Sequence, residues 1–161
     1  MLCILQARMS SKRLPNKMLK NIEGKTLLLR VYNQLERSKY IKKIVVATSK
    51  SKSDDPLENY CKSKKITVFR GSQNNVALRF YNLLKKNRYN YFVRVSGDSP
   101  LIDFRLIDSM AKYSKKLNFD IITNLMPRTF PKGHSVEIIK TKIFLKYFGN
   151  IKDKFDREHV T

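Results

Sequence analysis

The chain has 161 residues, 42% of them apolar, with five glycines and five prolines, which fits one globular domain with a buried core and excludes collagen-like or low-complexity sequence. No run approaches the roughly 18 consecutive apolar residues of a membrane span, and Gln6 and Arg8 break the N-terminal apolar run before a secretory core could form, so a cytoplasmic location is expected. The net charge is +21, but 23 of the 34 cations are lysines scattered along the chain, so the total alone does not specify a nucleic-acid partner.

In chain order, the first expected strand is Leu2–Ala7. A loop follows, reading Arg8-Met9-Ser10-Ser11-Lys12-Arg13-Leu14-Pro15-Asn16-Lys17. Four cations and two hydroxyls crowd it, and Arg forks with a Lys point charge and backbone N–H groups suit a polyphosphate. A solvated basic loop is the plain alternative. Gly24-Lys25-Thr26 resembles the end of a P-loop, but Leu19 stands where the earlier Gly is required, and no G-x-G-x-x-G follows the first strand. Leu28, Val31, Tyr32 and Leu35 keep the i, i+3, i+4, i+7 spacing of a helix with one apolar face.

Strand Lys43–Ser49 comes next, then Asp54 and Asp55 ahead of Pro56, the order of a helix cap followed by Pro in the first turn. After strand Ile66–Arg70, Ala77, Phe80, Tyr81 and Leu84 mark another helix, with Phe80 and Tyr81 expected in the core and Arg79 on the helix surface. Strand Tyr91–Ser96 leads into Gly97-Asp98-Ser99-Pro100, where Gly permits close backbone approach. Asp98 is then either a carboxylate for a hard cation or a turn residue. Asp103 starts the helix through Ile107 and Met110, with Asp108 on its exposed face. Asp120–Asn124 and Ser135–Lys140 read as strands and Phe144–Phe148 as helical, and a further strand is expected to begin at Val160 and Thr161. Cys3 and Cys61 are expected reduced and buried, and neither His134 nor His159 has a partner at zinc-ligand spacing.

This alternation favours an α/β fold with a mostly parallel sheet, right-handed crossovers and a site at the strands' C-terminal ends. Net charge is +10 over residues 1–50, +6 over 51–100 and +5 over 101–161, so a polyanion site is sought in the first third.

Several ordered motifs together resemble the cytidylyltransferases that make CMP-activated sugars. They are Gln6-Ala7-Arg8 with Ser11, Arg13-Leu14-Pro15 and Lys17; Val45–Ser49; Asp54-Asp55-Pro56; Phe69-Arg70-Gly71-Ser72; Arg94–Asp103; Pro127–Pro131; and Arg157–Thr161. The resemblance is to the acylneuraminate and 3-deoxy-octulosonate group, nearest its spore-coat polysaccharide biosynthesis branch. It implies a three-layer nucleotide-diphospho-sugar transferase-like (glycosyltransferase A-like) α/β fold with a mostly parallel sheet. By the same resemblance Arg8, Ser11, Arg13 and Lys17 hold the CTP triphosphate, and backbone groups of Ala7 and Arg8 lie near the base. Arg70 and Ser72 assist with the nucleoside, and Asp98 holds a catalytic Mg²⁺. Arg8, Lys17 and Asp98 are then the catalytic set, with Arg128, Ser135, Glu137 and His159 toward the substrate. The implied reaction joins CTP and an acid sugar into a CMP-sugar and pyrophosphate for surface polysaccharide synthesis, with no nucleic-acid or membrane partner and with a homodimer allowed for.

Three departures stand out. Asn16 replaces the usual Gly, though Asn also tolerates positive φ. Asn75 replaces a common Asp. Ser135 replaces the Asp of x-Asp-Val-Glu-Val, with Glu137 expected on the other side of its strand, which puts activity in question. Residues 1–161 read as one nucleotidyltransferase domain lacking its usual C-terminal segment. The alternatives are a non-catalytic nucleotide-binding relative or fragment and, on charge alone, a basic nucleic-acid-binding module.

Overall fold

The computed structural model describes residues 1–11 and 13–160, apart from the side chains of Lys115, Lys154 and His159. Six strands form the main sheet: β1 (Leu2–Gln6), β4 (Lys43–Ser49), β5 (Val68–Gly71), β6 (Tyr91–Ser96), β7 (Ile121–Thr123) and β8 (Glu137–Lys140). A separate two-stranded hairpin pairs β2 (Asn21–Ile22) with β3 (Lys25–Thr26). The helices are α1 (Leu27–Glu36), α2 (Asp55–Ser63), α3 (Val76–Lys85), α4 (Phe104–Leu117), α5 (Thr141–Tyr147) and α6 (Lys154–His159).

The P-loop look-alike is the hairpin turn. Glu23 and Gly24 both have positive φ, the geometry that a two-residue connection between β2 and β3 demands. Side-chain caps fix helix starts: Asp103 accepts from the Arg105 N–H as the sequence suggests, and Thr26 and Asn75 accept in the same way from Leu29 and Leu78. Asn75 therefore does the capping that an Asp would do.

The main sheet runs β5-β4-β1-β6-β8-β7. β5, β4, β1 and β6 are parallel, whereas β8 is antiparallel to β6 and β7 is antiparallel to β8. The sheet is thus mostly parallel, with β8 inserted against the common direction. At Val160, where a further strand was expected to begin, the chain instead closes helix α6 (Lys154–His159), with Val160 buried; Thr161 lies outside the described residues.

Strand residues alternate between two cores, which is what burial of both sheet faces requires. Cys3, Leu5, Val46, Val93 and Ile138 pack toward α1, α2 and α4. Leu2, Ile4, Val45, Ala47, Phe92 and Ile139 pack toward α3 and α5. Three layers result. Both cysteines are free and buried, and burial pushes the Cys3 thiol up and that of Cys61 up to about 11, so neither is a reactive thiolate. Phe80 and Tyr81 are structural as expected, Phe80 in the core and Tyr81 stacked on Phe148. Among the described residues no helix is long and apolar enough to cross a membrane.

Two side chains depart from the sequence reading. Asp108 is half-buried and accepts from the Ser38 hydroxyl and the Lys39 N–H, tying α4 to the loop after α1. Arg79 is 1% exposed, and it donates to the carbonyls of Ser72, Gln73 and Ala47. Space for it comes from Gly71, where a Cβ would lie 2.5 Å from the Arg79 Cγ. Gly71→Ala is therefore expected to cost about 1–3 kcal/mol in urea unfolding, because the buried guanidinium cannot retreat without leaving its carbonyls.

Candidate functional site

From β1 the chain crosses to β4 on one side, and β6 pairs with β1 on the other. Such a switch point leaves a crevice beyond the carboxyl ends of the two central strands. Here it is a cavity of about 860 Å³, lined by Gln6, the loop after β1, and Arg79, Arg94, Ser96 and Asp98.

Backbone hydrogen bonds shape the loop. The Met9 carbonyl accepts from Ser11 at 2.9 Å and from Asn16 at 3.2 Å, and Asn16 turns the chain at φ 58°. Asn thus occupies the left-handed position the sequence marked. Met9 and Met18 plug the loop into the core, leaving the polar residues between them toward the crevice.

Asp54 anchors this loop from below. Its carboxylate is 1% exposed and accepts from the Met9 N–H at 2.7 Å, the Ser49 N–H at 3.1 Å and the Ser49 hydroxyl. It makes no side-chain cap to α2, so the cap reading is corrected: buried N–H groups of β4 and the loop claim the carboxylate instead.

On the facing strand, Gly97 donates to the Gln6 carbonyl at 2.8 Å. A Cβ there would meet that oxygen and the Ala7 Cβ at 3.1 Å and the Met18 Sδ at 3.0 Å. The close approach expected of Gly97 is real, and it brings Asp98 over the loop. The Asp98 carboxylate accepts from the Lys17 ammonium and from the Ser96 hydroxyl, the latter at 2.6 Å. Partial burial opposes its ionisation, but Lys17 and Ser96 outweigh that and hold the carboxyl below the usual Asp range. Burial lowers the Arg79 guanidinium, with Asp54 acting against this and Arg8 reinforcing it. Arg8 meets Glu158 at 3.6 Å with both side chains about half exposed, a pairing weak enough to yield to an anionic ligand.

Of the residues singled out from the sequence, Ala7, Arg8, Ser11, Arg13, Lys17 and Asp98 all line this one cavity. Lys12 lies outside the described residues. The Ala7 N–H donates to the Ala47 carbonyl at 3.2 Å. Arg70 and Ser72 are not on the lining. Arg70 is tied to Asp55, Glu58 and the carbonyls of Ser49 and Ser51, and Ser72 accepts from the Asn75 N–H.

A second cavity of about 720 Å³ adjoins the first, with Arg94 and Ser96 common to both linings. Ser135, Glu137 and Ile139 line it together, because alternate residues of an extended chain share a face. Glu137 is thus on the same side as Ser135, correcting the expectation that it faces away. Its carboxylate accepts from Arg94 at 2.7 Å, across the Arg94–Glu137 register of β6 and β8. Arg128 reaches only 3.5 Å from the Ser135 hydroxyl. Buried Asn124 frames this loop, donating to the His134 carbonyl and accepting from the Val136 N–H. His159 belongs to α6, and its side chain lies outside the described residues.

Among the described residues no three His, Cys, Asp or Glu side chains cluster as a metal cage. Asp98 is an ionised carboxylate beside a cationic loop, a donor that fits Mg²⁺, which takes one or two protein carboxylates and completes its shell with water and phosphate oxygens. The three-layer α/β fold thus brings a cationic loop and a Gly-Asp turn together at the switch point of the sheet.

The chain belongs to the cytidylyltransferase family, whose family model matches residues 2–160. It is 38% identical over 158 residues to an uncharacterized protein of Methanocaldococcus jannaschii, covering 98% of this chain and 64% of that one. It is 31% identical over 168 residues to the spore coat polysaccharide biosynthesis protein SpsF of Bacillus subtilis, covering 99% of this chain and 68% of that one. The solved structure of a cytidylyltransferase from Leptospira borgpetersenii superposes with a TM-score of 0.91 at 32% identity, covering 98% of this chain and 67% of that one. The chain therefore spans about two thirds of the length of these relatives. The family, its spore-coat branch and the fold implied by the motifs are borne out.

Proposed function

We propose that the protein transfers a cytidylyl group from CTP to a hydroxyl of an acid sugar, giving a CMP-sugar and pyrophosphate for surface polysaccharide synthesis in the cytoplasm. The observation that carries this reading is the convergence of Arg8, Ser11, Arg13 and Lys17 on one cavity facing Asp98. The acceptor oxygen attacks the α-phosphorus, the bond to pyrophosphate breaks, and the hydroxyl proton passes to solvent.

The loop supplies cations and N–H donors for the triphosphate, already oriented by Asp54, Asn16 and the buried methionines. Lys17 is poised to trade Asp98 for a phosphate oxygen. Asp98 would hold Mg²⁺, which when bound would offset charge on the phosphates and the leaving group. Ala7 and Arg8 backbone groups lie beside the base, and Arg70 and Ser72 support the nucleoside side of the pocket through β5 and the start of α3 rather than by direct contact. Arg128, Ser135, Glu137 and His159 belong to the acceptor side.

Calorimetric titration with CTP, UTP, ATP and GTP, each with and without Mg²⁺, tests the reading. Selective CTP binding that Mg²⁺ tightens is the expected result, and binding of no nucleotide overturns it. Ser135 at the customary acidic position favours a second reading, a nucleotide-binding relative without turnover. Pyrophosphate release from CTP with a panel of acid sugars separates the two, since the second reading allows binding and no release.

A further inference from the structure

The two cavities share Arg94 and Ser96 on β6, and a group passing from a donor in one to an acceptor in the other must cross that shared wall. The Ser96 hydroxyl is given to Asp98. Arg94 is the only Lys or Arg on the described lining of the second cavity. Its side chain is 19% exposed, with Nη1 donating to Glu137 at 2.7 Å and Nε reaching Gln6 Oε1 at 3.4 Å. A buried pair of this kind contributes little net stability, because desolvation offsets the attraction. What it fixes is the orientation of a planar, permanently charged fork suited to phosphate oxygens.

We infer that Arg94 contacts the α-phosphoryl group of the nucleotide, and that Glu137 is the positioning residue that aims it. This rests on the cytidylyl-transfer reading. Charge develops on the α-phosphoryl oxygens as the acceptor bond forms, and Arg94 stands where both substrates meet that group. The acceptor's carboxylate is the competing oxyanion for the same fork.

The test titrates CMP, cytidine and an acid sugar into the full chain and into Arg94→Met, Arg94→Lys, Glu137→Gln and the double variant Arg94→Met with Glu137→Met. CMP carries the α-phosphate without pyrophosphate or acceptor, and cytidine lacks it. Arg94→Met is expected to weaken CMP about tenfold or more, the scale of a lost charge-assisted hydrogen bond, and to leave cytidine unchanged. Arg94→Lys restores only part of the loss, because it keeps the charge without the fork. Glu137→Gln lowers CMP affinity by a smaller factor, again sparing cytidine. The double variant leaves no lone buried carboxylate, so it keeps the fold and shows the same CMP loss. Equal CMP affinity in the wild type and the double variant overturns the inference. So does a variant that loses the acid sugar but keeps CMP, which would assign the fork to the acceptor's carboxylate. Failure of the underlying reading looks different, because the wild type would then bind neither CMP nor cytidine.

Discussion

Asp98→Asn is expected to lower pyrophosphate release by about two to three orders of magnitude while barely moving the melting temperature. The side chain is 41% exposed and its partners are Lys17 and Ser96, so the amide fits the same space and little core packing is disturbed. What disappears is the negative charge that faces the cationic loop from the Gly-Asp turn. Release within about tenfold of wild type, measured with saturating CTP and acceptor, would remove Asp98 from the reaction centre.

The pH dependence has a defined sign. The folded chain holds the Asp98 carboxyl below its ordinary value, because Lys17 and Ser96 overcome the effect of burial. The pairing therefore adds stability above the ordinary Asp range, and that contribution is lost as pH falls through the lower folded value. The Asp98 side chain is partly exposed, so this contribution is small. In urea unfolding the wild type and Asp98→Asn are expected to converge as pH falls below the ordinary Asp range, and a gap that widens toward acid would contradict this.

Asp54→Ala is expected to lose about 3 kcal/mol or more of unfolding free energy, because it strands the Met9 N–H, the Ser49 N–H and the Ser49 hydroxyl in a buried setting. It also deprives buried Arg79 of a nearby negative charge. Since Met9 roots the arginine loop, CTP affinity falls as well, by about tenfold in titrations run where the variant is still folded. Asp54→Asn retains an acceptor oxygen and falls between the two in urea unfolding. Unchanged CTP affinity in a destabilised Asp54→Ala would show that the loop keeps its shape without this anchor.

Lys17 and Asp98 are 81 residues apart, yet the sequence already pointed to both, each in a loop that follows an apolar strand on the side of the sheet where α/β folds place their sites. Asn16 and Gly97 were legible for a similar reason, because each position needs something that few residues supply: a left-handed turn or room for a neighbouring backbone. Periodicity also placed Phe80 and both cysteines in the core.

Arg79, Asp54 and Arg70 were not legible in this way. Each is a charged residue whose partners come from another element, and helical spacing gives a residue's face without naming what packs on it. Glu137 was misplaced although the period-two rule puts it beside Ser135. The sequence by itself determined the alternation of strands and helices, the chemistry of the two loops and the family, because these depend on local pattern and ordered motifs. Only the tertiary structure decided that β8 enters the sheet against the others, that Arg94 and Glu137 meet across it, and that Asp54 holds the loop from beneath, because such long-range pairings are fixed by whichever buried polar groups the packed chain leaves to be satisfied.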